Sequence, residues 1–162
     1  MAGMDVFLDR LDPDMCVVTA AAGGEEAGCL VGFASQCSMR PVRFVVWLSE
    51  VNRTFRVARS AEYLAVHLLA RGQHGLAEVF GGRTGDDVDK FRQVRKRRGH
   101  GGTVLLEDAE AWFVGRVVER VAGGDHVGHV LEPVEWGGRE TPGRPLLRLG
   151  DVSGVEAGHP VD

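Results

Sequence analysis

The sequence predicts a mainly β fold, a barrel with short peripheral helices, and three observations predict it. The 23 glycines among 162 residues concentrate at intervals suited to turns, at 23–24, 81–82, 99–102, 123–124 and 137–138. Between them run short apolar segments rich in β-branched residues, which pack well on a pleated surface. The triplet Gly124-Asp125-His126 separates two long segments of this kind and is the clearest hairpin in the chain.

Each element has its own warrant. Residues 15–20 read as a first strand, turned by Gly23-Gly24, and residues 29–33 as a second. A polar loop follows, and then residues 44–49 as a third strand. Asn52 is a hydrogen-bond acceptor placed to cap a short helix over 52–58. Residues 63–69 form a fourth strand, and residues 73–80 a helix ended by Gly81-Gly82. Thr84 or Asp86 begins another short helix reaching Val94. Residues 103–106, 111–121, 126–134 and 145–149 supply the remaining strands, and residues 150–162 form a loose tail.

The length suits a single domain over 1–162 with a core at about 10–150, and no linker or internal repeat divides it. Hydrophobic content of 44% and charged content of 26% are ordinary for a soluble globular chain. The net charge of −4 gives no drive toward nucleic acid. The five Lys/Arg between Arg92 and Arg98 lack interleaved aromatics that would stack on bases, and read as a solvated helix end or a phosphate holder. No apolar run approaches the ~20 residues of a membrane span, and no signal peptide is evident. Cys16, Cys29 and Cys37 show no C-x-x-C spacing, which fits reduced thiols in a cytoplasmic protein. No metal site is expected, since His67 and His74 lack a third donor at ligand spacing. Neither a G-x-S-x-G elbow nor a phosphate-binding P-loop appears.

The run from Gly28 to Pro41 stands out. Gly32 permits close backbone approach, and Ser35 and Ser38 add hydroxyl donors beside exposed amides. Such a stretch reads as a cradle for a flat, polar ligand. The Cys37 side chain reads as a small buried hydrophobe, and Arg53 as either a ligand contact or a surface residue paired with an acid such as Glu50.

Taken in order, Cys16-Val-Val-Thr19, Gly28 through Pro41, Ser49-x-x-Asn52-Arg53-Thr54, Val66-His-Leu-Leu69, Phe80-Gly-Gly82, Asp89-Lys90-Phe91 and Gly124-Asp125-His126 resemble the flavin reductase-like family. That resemblance implies an FMN-binding split β-barrel. It implies that Val31, Gly32, Phe33, Ala34, Ser35, Gln36, Cys37 and Ser38 cradle the flavin, with Phe33, Cys37 and Trp47 as an apolar wall. It further implies that Asn52, Arg53 and Thr54 approach the ribityl phosphate, that Lys90 adds a cation, and that His126 stands near the reacting face. The implied activity is hydride transfer from NAD(P)H to FMN, or to FAD, by a homodimer that supplies reduced flavin to a monooxygenase. Two departures leave a second reading. Leu30-Val-Gly-Phe-Ala34 is less polar than the family's usual T-A-S-S-F, and the last strand lacks a nicotinamide-seating histidine or tyrosine. A non-catalytic flavin-binding protein, or one linked to a deazaflavin donor, accommodates both.

Overall fold

The structure, a computed structural model, describes residues 3–81, 90–139 and 143–152. Its strands are β1 (Cys16–Ala22), β2 (Glu25–Val31), β3 (Ala34–Met39), β4 (Val42–Ser49), β5 (Tyr63–Leu68), β6 (Lys96–Arg98), β7 (Val104–Leu106), β8 (Ala111–Ala122) and β9 (His126–Gly138). Three short helices accompany them: α1 (Asp5–Leu8), α2 (Arg53–Ala58) and α3 (His74–Gly81).

Seven strands form one antiparallel sheet in the order β2-β1-β5-β8-β9-β4-β3. Its two edges, β2 and β3, follow one another in sequence with only Gly32 and Phe33 between them. So short a link spans about 10 Å at most. The sheet must therefore curl until its edges approach, which yields a split barrel. The turns agree with the glycine pattern. Gly23 and Gly24 both take positive φ (59° and 81°), as a two-residue hairpin of matching twist requires.

Side chains alternate across this sheet. Cys16, Val18, Cys29, Val46, Leu48, Leu64, Val66 and Leu131 fill the barrel. On the outside of β1 and β5, a second cluster joins Val17 to Phe80, Phe91, Leu106 and Leu147, beneath α3 and the β6–β7 hairpin. β1 is thus buried on both faces, which explains why its residues are apolar apart from Thr19. Two polar groups cross this layer: the Thr19 hydroxyl donates to Val104 O (2.7 Å), and His67 bridges Val17 and Leu106.

Several expectations are corrected. The polar loop after the second strand is largely an edge strand, β3, held by its ladder to β4. The second strand itself begins earlier, at Glu25. Residues 145–149 form no strand; two isolated bridges, Ala70 to Leu146 and Asp14 to Arg148, take the place of a ladder, and Leu147 packs into the second cluster. The helix expected from Thr84 or Asp86 lies mostly outside the described residues, and Lys90–Gln93 is a single 3₁₀ turn. Of the basic cluster only Arg92 lies at a helix end, in that 3₁₀ turn; the rest leads into β6, with Arg95 paired to Glu107 and Asp108, Arg98 to Glu26, and Arg97 over the Trp112 ring. No described helix is long and apolar enough to cross a membrane.

Candidate functional site

Three connections meet at one end of the barrel. Trp47 N donates to Phe33 O (2.9 Å), Glu50 N to Asp125 O (3.0 Å), and Asn52 N to Ser49 O (3.0 Å). The ladder sets Ser49 opposite His126, and the Phe33 and His126 rings lie 5.1 Å apart at 52°. His126 Nδ1 is 2.7 Å from Asp125 Oδ1. A carboxylate only accepts, so Nδ1 donates to it and Nε2 lies on the other side of the ring.

Strand alternation extends this corner into a face. Val46 and Leu48 point into the barrel, so Arg43, Val45, Trp47 and Ser49 of β4 point out, beside His126, Gly128 and Val130 of β9. Phe33 and Ser35 join them from the β3 side. A bulge between Gln36 and Ser38 absorbs one residue and brings Ser38 opposite Arg43, so both candidate serines share the face. The Trp47 indole lies flat against two glycines. A Cβ at Gly128 would stand 2.8 Å, and one at Gly123 2.7 Å, from its ring carbons. Phe33 is 62% exposed, which leaves the aromatic floor open at this end.

The remaining candidates divide into two groups. Val31 is a core residue, Gly32 bends the chain against Met15, and Ala34 and Gln36 register with the inward-facing Val46 and Phe44; these four can offer backbone to a ligand on the outer face. Cys37 is exposed, not buried: as the extra residue of the bulge it has no partner across the ladder. Asn52, Arg53, Thr54 and Lys90 lie toward β2, and the fold already engages them. Asn52 Oδ1 accepts from Thr54 N (2.8 Å) to cap α2, and the buried Thr54 hydroxyl bonds the Cys29 thiol. Arg53 donates to Glu26 O (2.8 Å) and pairs with Glu25 (3.2 Å), so its acid is Glu25 and not Glu50. Lys90 is buried, donates to Gly28 O (3.0 Å) and Phe80 O (3.3 Å), and has its pKa lowered by that burial.

Sequence reasoning passed over Arg43. Its signal was present in Arg43-Phe-Val-Val-Trp-Leu-Ser49, where a cation takes the alternate position with Val45 and Trp47. An open groove of about 320 Å³ between α3 and the chain leading into β6 holds none of the candidates; Leu76, Val79, Val94 and Leu106 are among its walls. No group of three metal-ligating side chains occurs among the described residues.

Comparison with known proteins identifies the fold and the family. An FMN-binding protein from Thermus thermophilus, solved with bound 1-cyclohex-2-enone, superposes with a TM-score of 0.79 over 100% of this chain and 94% of that one, at 23% identity, and so shares its fold. The FMN reductase (NADH) RutF of Variovorax paradoxus is 29% identical over 117 residues, 72% of this chain and 64% of that protein. The reductase component of a 4-nitrophenol 4-monooxygenase/4-nitrocatechol 2-monooxygenase from Rhodococcus opacus is 30% identical over 119 residues, 74% of this chain and 62% of that protein. The chain thus spans less than two thirds of the length of these curated relatives. The flavin reductase like domain matches residues 9–151, which takes in every strand of the split barrel and every side chain of the outer face, and the chain belongs to that family.

Proposed function

We propose that this chain is an NAD(P)H:flavin oxidoreductase that binds FMN on the outer face of β3, β4 and β9. One observation carries the reading: an aromatic floor of exposed Phe33 and half-buried Trp47 shares a face with the Ser35 and Ser38 hydroxyls and with His126. A flat ring system with one polar edge fits such a surface, with backbone and hydroxyl donors at the edge and apolar contact behind. Bound flavin supplies the hydride-accepting chemistry. The chain's own groups orient and protect. Trp47 and Phe33 exclude water from one side, the serines fix the polar edge, and Asp125 holds the His126 proton on Nδ1 so that Nε2 faces the ligand.

The names of the two relatives support FMN and NADH as ligands and a flavin-dependent monooxygenase as the consumer. A homodimer accords with the exposed Phe33 and the half-buried Trp47, which a second copy would cover. The decisive experiment is the visible spectrum of purified protein with FMN, before and after anaerobic NADH or NADPH. Flavin bands that bleach on adding nicotinamide fit the reading. Bands that persist favour the second reading, a flavin-binding protein with no nicotinamide activity or with a deazaflavin donor. One observation speaks for that alternative: residues 145–149 run through Leu147, fully buried, and Arg148, whose carboxylate neighbour is Asp14, to Leu149, so they present no ring to a nicotinamide. Protein that takes up no flavin refutes both.

A further inference from the structure

Arg43 is half-buried on the cradle face, and its Nε is shut off from water without a hydrogen-bond partner. No group among the described residues accepts from its guanidinium. A guanidinium cannot shed its charge, so the fold has taken one N–H of a permanent cation from water and returned nothing, while the two terminal nitrogens stay open to solvent and to a ligand. The acid best placed along β9, Glu132 beside Leu131, is committed to Arg116 at 3.0 Å. The chain's other engaged cations are treated differently: Arg53 reaches Glu26 O, Arg120 reaches Ala58 O and Ala61 O, and Lys90 reaches Gly28 O. Beside Arg43 stands the Ser38 hydroxyl, across the ladder and likewise with no hydrogen-bond acceptor among the described residues.

Resting on the flavin reading above, we propose that Arg43 and Ser38 bind a phosphate monoester of the ligand that lies along this face. A guanidinium fork beside a hydroxyl suits a dianionic phosphate, and the pair needs no rearrangement to meet one. Position agrees. Arg43 and Ser49 lie six residues apart on β4, about 20 Å of strand, so this cation and the His126 corner sit at opposite ends of the floor. The monoester comes either from FMN or from the ribose phosphate of NADPH.

The test is equilibrium titration of the purified chain, followed by tryptophan fluorescence, with FMN, riboflavin, NADPH and NADH. Arg43→Met and Arg43→Lys are compared with the wild type after circular dichroism and urea curves establish folding. Arg43→Met is expected to weaken FMN at least tenfold and to change riboflavin less than twofold, with Arg43→Lys between. The same pattern in NADPH against NADH, with FMN unchanged, assigns the phosphate to the nicotinamide. Unchanged binding of all four ligands overturns the proposal. An equal loss of FMN and riboflavin with NADPH unchanged also overturns it, because Arg43 then faces the ring. If Arg43→Met does not fold, the lysine variant is judged by the same comparison. A wild type that binds no flavin refutes the proposed function alone, and the NADPH–NADH pair still judges Arg43.

Discussion

Acidification should destabilise this protein through one histidine, and the size of the effect follows from its surroundings. His67 is fully buried; Nδ1 donates to Val17 O (2.9 Å) and Nε2 accepts from Leu106 N (3.1 Å). Both nitrogens are occupied, so the ring is neutral in a single tautomer, and burial pushes its pKa down from 6.5 to about 4. Between those values the unfolded chain takes up a proton and the folded chain does not. Stability from this group is therefore complete above pH 6.5 and is lost as pH falls toward 4. A separation of about 2.5 pH units, at ~1.36 kcal/mol for each, makes the full loss about 3 kcal/mol. His67→Asn isolates the effect. Its amide reproduces the donor to Val17 but leaves Leu106 N–H unpaired, which costs about 2 kcal/mol at neutral pH. The variant does not titrate, and His129, the other buried histidine, is common to both proteins. Urea unfolding between pH 7.5 and 4.5 should show the wild type about 2 kcal/mol more stable at pH 7, with the gap closing near pH 5 and then reversing. Parallel stability curves would refute the reasoning.

Other perturbations test separate parts of the site. Gly128→Ala drives a Cβ to within 2.8 Å of the Trp47 ring; it should cost about 1–3 kcal/mol and shift tryptophan emission, and an unchanged spectrum and melting curve would count against the stacked floor. Arg53→Ala removes the bonds to Glu26 O and Glu25; it should lower stability by about 1 kcal/mol and leave FMN affinity within twofold, whereas a tenfold loss of affinity would return the phosphate to Asn52, Arg53 and Thr54. His126→Ala should lower kcat roughly 10²-fold with little change in FMN Kd. Asp125→Asn should act in the same direction, and a normal kcat in both variants would remove His126 from the chemistry.

The strands that bury side chains were readable because burial is what a pattern records. Residues 15–20, 44–49 and 63–69 carry β-branched or apolar residues where β1, β4 and β5 need them, and Asn52 caps α2 as its side chain suggested. β3 was not readable. Its sequence, Ala-Ser-Gln-Cys-Ser-Met, has no apolar alternation, because one edge is open and a bulge interrupts its period; its pairing with β4 alone makes it a strand. β6 was missed for a related reason, since Lys96-Arg97-Arg98 becomes a strand only where β7 and nearby partners receive its charges. The candidate site was half legible in its residue types. The donors Ser35 and Ser38 and the ring of His126 announce themselves by type. Whether a cation is spent or available is decided by partners distant in sequence, as Glu25 and Glu26 are from Arg53, and a linear reading cannot see them.

The same contrast accounts for where a ligand can lie. A sheet whose edges are consecutive strands has two rows of backbone groups to satisfy, and an uncovered row invites pairing with another chain. On β2 the carbonyls of Glu26 and Gly28, two residues apart and so on one edge, accept from Arg53 and Lys90. Two of the chain's cations are used to close that edge, and α2 and α3 pack beside it. On β3 no distant side chain does this among the described residues; Gln36 reaching Ser38 O is a local contact (3.1 Å). The cradle edge is consequently the side of the split barrel that keeps its hydroxyls, its bulge and the unengaged guanidinium of Arg43. Closing one edge uses Arg53 and Lys90 within the fold, and the phosphate site and the second copy proposed above both fall on the other edge.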